Sequence, residues 1–254
     1  FKNLKIESFL NTFLKKEIDK NFAIYYNSGK IIVDNKKKTI ELIHEEINSR
    51  FFIMNAKIKD YQIKTTSKES FSNNQNFLGL TGCLTFYQTF FDNVSLYSEK
   101  ANCEDAINII KSNGNINEII AKTSKSDGLD IDFSHIRIKK LEIIESKNDC
   151  LDLSYGEYEI DIIDVNGCGD KGISIGEKSK LNSKNISIVN SKFSTAVKDG
   201  SILTVENFNA TNYDICLALY RKKQEFVGAK VFIKNNNCKK KSIYIQNGSE
   251  IKDF

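Results

Sequence analysis

Three aspartates and one lysine recur along the chain at a constant interval of 22 residues, namely Asp105, Asp127, Asp149 and Lys171. They lie in similar segments, CEDAINI, SDGLDID, NDCLDLS and GDKGISI. Carboxylates and amines are the groups that transfer protons or hold cations in enzyme sites, provided that the fold brings them together. A period near 20 residues built on short apolar strands is typical of a solenoid, in which each repeat stacks on its neighbours.

A second polar column accompanies the first. Its predicted members alternate with apolar residues and must therefore face outward: Asn108, Asp130, Asp152, Ser174 and Lys198. Coils of a β-solenoid stack about 4.8 Å apart, so residues one period apart become neighbours. We therefore predict that Asp127, Asp130, Asp149 and Asp152 share one outward patch, with Lys171 and Lys198 beside it.

Like charges at that distance repel, and a raised pKa, a lysine or a bound cation must compensate them. A protonated carboxyl beside an ionised one suits glycoside hydrolysis. A Ca²⁺ ion on Asp127, Asp149 and Asp152, with Lys171 or Lys198 as the base, suits a polyuronate lyase. The candidate catalytic residues are thus Asp127, Asp130, Asp149, Asp152, Lys171 and Lys198. No other cofactor is indicated.

A purely structural role for the aspartates is the alternative. Aspartate at the entry of a strand can accept hydrogen bonds from backbone amides at the corner, and a repeated coil then produces a ladder of such residues without any ligand. Alternation with lysine on a solvated surface would also relieve the repulsion. The sequence leaves these alternatives open.

Short strands are the elements that would position the columns. Apolar pairs such as Ile107/Ile109 and Leu129/Ile131 recur once per coil, and no segment between coils has helical periodicity over ten residues. We predict an all-β fold, a right-handed single-stranded parallel β-helix of about 22 residues per coil. Apolar spacing in IESFLNTFLKKEIDK predicts an amphipathic capping helix within residues 1–24, followed by irregular early coils at 25–77 and the regular β-helix at 78–254.

The repeats also resemble a known family. The segments LTGCLTFYQ, NCEDAINII, SDGLDIDFS, NDCLDLS, GDKGISIGEKS, TAVKDGS and ALYRKKQEF resemble a bacterial family of right-handed parallel β-helix domains, some of which accompany CotH-type kinase domains. The resemblance covers about residues 78 to 230. It implies a pectate-lyase-like fold, whose best-known members cleave or bind polysaccharides, and it implies no catalytic residues.

We therefore expect an extracytoplasmic module that recognises or processes a polysaccharide or cell-surface glycan. The competing expectation is a non-catalytic scaffold, such as a spacer or adhesin, that binds a protein or nothing. Which sugar, and whether the chain is a fragment, are left open. The chain begins at Phe1 without a signal segment, which we take as a processed or truncated product.

Composition excludes several other classes. The formal charge of +4 is small, and basic and acidic residues alternate, so nucleic-acid binding is not predicted. No apolar run is long enough to span a membrane. The six cysteines form no CxxC pair, which argues against a zinc site. The chain is too long to need a disulfide framework. Cys150 and Cys216 fall in a column otherwise filled by small residues, so we expect these two to be packing residues.

Overall fold

The computed structural model of the protein describes residues 12–46, 48–68 and 79–253. Most of them lie in strands, which wind into a β-solenoid of about nine turns. The strands are β1 (Leu14–Asp19), β2 (Phe22–Tyr26), β3 (Lys30–Asp34), β4 (Thr39–His44), β5 (Phe51–Met54), β6 (Lys57–Lys59), β7 (Gln62–Ser67), β8 (Gly82–Tyr87), β9 (Phe90–Ala101), β10 (Asp105–Ile110), β11 (Asn113–Ser124), β12 (Asp127–Asp132), β13 (His135–Ser146), β14 (Leu151–Ser154), β15 (Glu157–Gly176), β16 (Lys180–Lys198), β17 (Ile202–Tyr220), β18 (Lys230–Asn236), β19 (Ile243–Ile245) and β20 (Glu250–Asp253).

Three parallel sheets form the walls of the solenoid. Sheet I contains β5, β8, β10, β12 and β14, then the last parts of β15, β16 and β17, and finally β19. Sheet II contains β6, β18 and β20 and the first parts of the long strands, and sheet III contains β4, β7 and the later parts of those strands. The long strand β15 bends at two corners and so contributes to all three sheets.

The predicted 22-residue register is confirmed. In sheet I, Ile107 pairs with Leu129, Leu129 with Leu151, and Leu151 with Ile173. All four side chains are fully buried and belong to one continuous apolar core. Because side chains of a strand alternate between its two sides, the residues between these apolar ones face outward.

The predicted N-terminal helix is wrong in the part that the structure describes. Leu14–Asp19 is strand β1, which pairs antiparallel with β2, and the turn is closed by the Asn21 backbone N–H donating to Asp19 Oδ1 at 2.7 Å. Strand β2 pairs antiparallel with β5 of sheet I. The hairpin therefore satisfies the backbone groups of the first sheet I strand, which the side of a helix could not do. Residues 6–11 of the predicted helix lie outside the described residues.

The expectation that the chain needs no disulfide framework is also wrong, because all six cysteines form disulfides, including Cys150 and Cys216, which the sequence suggested were packing residues. The pairs are Cys83–Cys103, Cys150–Cys168 and Cys216–Cys238, separated by 20, 18 and 22 residues. These separations are close to one coil, so each bond links residues that the winding brings together. The sequence signal was this spacing, which matches the repeat period and which the search for CxxC motifs did not address.

The corners of the coil use left-handed backbone. After the sheet I strands, the corner residues Gln88, Lys111, Phe133 and Tyr155 all have φ between +50° and +51°. At the corner of sheet III, Asn190 and Asn212 have φ of +59° and +53°, and Asn212 Nδ2 donates to Asn190 Oδ1. Asparagine tolerates this conformation better than most residues.

Candidate functional site

Six aspartates line the outward side of sheet I. They lie on three consecutive turns, in β10, in β12 and in or just before β14, and we call this surface the acidic face: Asp105, Asp127, Asp130, Asp132, Asp149 and Asp152. Strand pairing places Asp105 beside Asp127 and Asp130 beside Asp152. The prediction that the sequence columns become spatial neighbours is therefore confirmed.

The predicted position of Lys198 is wrong by two residues. Ser174 pairs with Ala196, so Ala196 continues the column of Asp130 and Asp152. Lys198 lies two residues farther along β16 and pairs with Tyr220. It also faces outward and is buried, but it belongs to the column that contains Asp132, Ser154 and Gly176.

Asp127 and Asp149 hold the backbone of the next coil. The Asp149 backbone N–H and the Asn148 side-chain amide donate to Asp127 Oδ1 at 3.0 and 2.7 Å. One turn later, the Lys171 backbone N–H donates to Asp149 Oδ1 at 3.0 Å. Each carboxylate thus satisfies a backbone donor at the entry of a sheet I strand, as the structural alternative requires.

A lysine compensates the charge of Asp149. Lys171 Nζ lies 3.3 Å from both Asp149 oxygens and also forms an ion pair with Asp170. Burial raises the pKa of Asp149, whereas the charge of Lys171 lowers it, and the net result is a raised pKa. Burial lowers the pKa of Lys171, but its hydrogen bonds and ion pairs with Asp170 and Asp149 outweigh burial and raise the pKa.

The centre of the acidic face has no such compensation. Burial raises the pKa of Asp127 to about 6, and Asp149 and Asp152 add to the rise. Burial, with the charges of Asp152 and Glu177, raises the pKa of Asp132 to about 7. Among the described residues, no Lys or Arg forms an ion pair with either carboxylate.

Asp130 is the most strongly perturbed of the central carboxyls. Burial raises its pKa well above the ordinary value, and the charges of Asp105, Asp132 and Asp152 raise it further. The side-chain amide of Asn108 donates to Asp130 Oδ2 at 3.0 Å. This single neutral donor does not offset burial and the surrounding negative charge, so the pKa of Asp130 stays raised and its neutral form is favoured.

Several oxygens of this surface have no hydrogen-bond partner among the described residues although they are out of contact with solvent. Three are carboxylate or amide oxygens and two are hydroxyls: Asp105 Oδ2, Asn108 Oδ1, Asp152 Oδ1, Thr85 Oγ1 and Ser174 Oγ. Thr85, Asn108, Asp152 and Ser174 belong to one column of sheet I. Partnerless buried oxygens are costly in a folded protein, and these five lie on one face.

The acidic face ends at a compensated group on its C-terminal side. Glu177 Oε1 pairs with Lys223 at 2.6 Å, and Glu177 Oε2 accepts a hydrogen bond from Ser154 at 2.8 Å. Burial raises the pKa of Glu177, but these contacts and the charge of Lys198 outweigh burial and lower it. The excess of negative charge is therefore restricted to the turns of β10, β12 and β14.

Asp105 and Asp132 belong to the acidic face, although they are absent from the predicted set of catalytic residues. Asp105 is 3% exposed, and burial raises its pKa well above the ordinary value. The signal for Asp132 was present in the sequence, because it alternates with inward Ile131 in the same way as Asp130 does.

No group of three or more His, Cys, Asp or Glu side chains is arranged to hold a metal ion within residues 12–46, 48–68 and 79–253. Three surface cavities, of about 560, 630 and 390 Å³, are formed by described residues on sheets II and III. The acidic face lines none of them. Four of its six aspartates are half-buried, and Asp105 and Asp149 are buried.

Comparison of the chain with protein-family models, with curated proteins and with solved structures found no match. The parallel β-helix is thus established by the structure alone. The finer resemblance to the bacterial branch that accompanies CotH-type kinase domains stays a prediction. No helix among the described residues is long and apolar enough to cross a membrane.

Proposed function

We propose that the protein is an extracytoplasmic carbohydrate-recognition module that binds a polysaccharide along the acidic face of sheet I. The observation that carries the proposal is the set of buried oxygens without partners on Asp105, Asn108, Asp152 and Ser174, which lie on the same face as the half-buried Asp127 and Asp132. Sugars offer many hydroxyl donors at close spacing, and a ladder of acceptors about 4.8 Å apart suits an extended chain of them.

The same carboxyls would support cleavage of a glycosidic bond. Asp130 has a raised pKa and could donate a proton to a leaving oxygen, and its direct neighbour Asp152 could serve as nucleophile or base. Neighbouring strands place such a pair near the separation of about 5 to 5.5 Å that a retaining mechanism uses. Binding is the core of the proposal, and hydrolysis is the reaction that this pair would add to it.

The disulfides support an extracytoplasmic location. Three bonds between consecutive coils form and persist in oxidising compartments and are rare in reducing ones. A glycan of the cell surface or of the extracellular medium is then within reach of the acidic face. Mass spectrometry of the protein recovered from its native compartment would find free thiols if the location were cytoplasmic.

An oligosaccharide array tests the proposal. The wild-type protein is compared with Asp130→Asn and Asp152→Asn, which keep the size of each side chain and remove its ability to ionise. Asp164→Asn is the matched control, because Asp164 faces outward from sheet III. We expect a glycan that the wild type and the control bind and that both acidic-face variants bind at least about tenfold more weakly. Absence of any bound glycan, or equal binding by all four proteins, would overturn the proposal.

A rigid scaffold is the second candidate function. It is favoured by the hydrogen bonds of Asp127 and Asp149 to backbone amides, since these show that part of the aspartate column maintains the coil. Ladders of asparagine amides between coils, such as Asn235 to Asn207 and Asn207 to Asn185, have the same effect. The scaffold function predicts that the acidic-face variants alter stability and leave every binding assay unchanged.

A further inference from the structure

We infer that three aromatic rings at the corner of sheet I form a subsite for a neutral oligosaccharide, with Tyr155 at its centre. We call the surface formed by Phe133, Tyr155 and Phe226 the aromatic ridge. The inference rests on the proposed carbohydrate function and names the class of glycan, an uncharged chain whose pyranose rings have apolar C–H faces. The aromatic ridge adjoins the acidic face and is itself exposed to solvent.

The aromatic ridge brings together rings from separate turns. Phe133 follows β12 and Tyr155 follows β14 one turn later, and their rings are parallel to within 4° with centroids 4.7 Å apart. Phe226, from the loop between β17 and β18, meets Tyr155 at a centroid distance of 6.4 Å and an angle of 58°. Phe133 is 37% exposed and Tyr155 is 43% exposed. Single exposed apolar residues are common, whereas several that join into one patch are typical of a binding site.

The backbone at Phe133 and Tyr155 is unfavourable for bulky side chains. Both residues have a left-handed backbone, with φ of +50° and +51°, which aromatic residues rarely adopt. The two preceding turns have Gln88 and Lys111 at the same corner, so the coil does not require aromatic residues there. Strained backbone of this kind clusters at functional sites.

The loop that follows β17 holds Phe226 in place. The fully buried Asp199 accepts hydrogen bonds from the backbone N–H groups of Lys222 and Lys223 at 2.7 and 2.8 Å. Lys223 Nζ also pairs with Glu177 at 2.6 Å. The loop is therefore fixed near its start, and the third ring of the aromatic ridge is positioned before any ligand binds. Such preorganisation lowers the entropic cost of binding.

The polar groups beside the aromatic ridge favour an uncharged ligand. Carboxyls and lysines both adjoin the three rings, and neither sign is in clear excess: Asp132, Glu177, Glu225, Lys178 and Lys223. A charged glycan therefore gains little from this surface. The half-buried Ser154 and Asp132 immediately precede Tyr155 and Phe133 and can bond sugar hydroxyls while the rings cover a C–H face. Apolar surface with a few polar groups is the usual composition of sites for small uncharged ligands.

Two oligosaccharides that differ only in charge test the inference. The probes are cellohexaose, which is neutral, and the same hexamer with its primary alcohols oxidised to carboxylates, titrated by calorimetry at pH 7. We expect the wild type to bind cellohexaose at least about tenfold more tightly than the oxidised hexamer. Tyr155→Ala should weaken the binding of cellohexaose at least about tenfold, whereas Tyr155→Phe should preserve it because the ring remains. Phe90→Ala is the matched control, because Phe90 is 40% exposed and lies on sheet II.

The outcomes separate the inference from the proposed function. If Asp152→Asn weakens the binding of a glycan and Tyr155→Ala does not, the aromatic ridge is overturned and carbohydrate recognition stands. Equal or tighter binding of the oxidised hexamer overturns the neutral ligand class. If cellohexaose does not bind while the array yields another glycan, the inference also falls alone. An equal loss in Phe90→Ala and Tyr155→Ala would show non-specific contact and overturn the subsite. If no glycan binds in either assay, both fall. Circular dichroism of each variant establishes that it is folded.

Discussion

Replacement of Asp127 by Asn should stabilise the protein at neutral pH although it removes a residue with two hydrogen bonds. The Asn side chain keeps an oxygen for the Asp149 backbone N–H and the Asn148 amide, so these contacts survive. What is lost is the ionised form, which burial makes unfavourable. The folded-state pKa is about 6, compared with 3.8 for an unperturbed aspartate.

The magnitude follows from linkage. A folded pKa raised by about 2.2 units, at about 1.36 kcal/mol per unit, corresponds to about 3 kcal/mol of stability. The folded state binds more protons than the unfolded state between pH 3.8 and about 6, so this stability is present below that window and is lost as pH rises through it. The Asn variant does not titrate there and retains it. Its advantage over wild type should be about 0.5 kcal/mol at pH 4 and about 3 kcal/mol at pH 8.

Urea denaturation of both proteins at pH 4 and pH 8, with the disulfides intact, measures the difference directly. Asp164→Asn, which removes one outward carboxylate from sheet III, controls for the change in net charge. An advantage of Asp127→Asn that is the same at both pH values would refute the reasoning. A variant less stable than wild type at pH 8 would mean that the ionised carboxylate is needed for the backbone contact, and that burial is not the dominant influence.

Two further predictions concern the other devices that hold the acidic face. Lys171→Ala should cost about 3 kcal/mol at pH 8, because Asp149 keeps a buried charge without its partner. The cost should be smaller at pH 4, because the raised pKa of Asp149 favours its neutral form as pH falls. Urea midpoints check this, and a loss independent of pH would contradict it. The exposed pair of Lys184 is the control, since Lys184→Ala should cost under about 1 kcal/mol. Joint replacement of Cys150 and Cys168 by Ser should lower the free energy of unfolding by about 2–4 kcal/mol. Peptide mapping of the wild type without reductant should recover the two cysteine peptides linked to each other. Unlinked peptides would refute the pairing.

Sequence reasoning reached the architecture because the repeat is short and strict. Strands one period apart must pair. Once they pair, apolar residues such as Leu129 and Leu151 point inward, and the residues that alternate with them point outward. The prediction that Asp130 and Asp152 are neighbours followed from the same 22-residue interval. The position of Lys198 did not follow, because Lys198 lies 24 residues after Ser174, two more than one period. A shift of two residues along a strand leaves a side chain on the same side of the sheet but gives it a different neighbour on the next strand.

The remaining differences depend on interactions between distant segments. The helical spacing of apolar residues near Leu14 is a local signal, and the exposed backbone of the first sheet I strand outweighed it. The disulfides depend on which cysteines the winding brings together, and this requires the coil geometry. Likewise, the sequence left open whether Asp127 and Asp149 serve a ligand or the backbone, and the structure shows that both accept hydrogen bonds from backbone amides.

The most direct test of the central claim is a crystal structure of the protein with the tightest glycan from the array. The account predicts sugar density on the outward side of sheet I, with ring substituents within hydrogen-bond distance of Asp130 and Asp152. Density confined to the cavities of sheets II or III, with the acidic face covered by water alone, would contradict it.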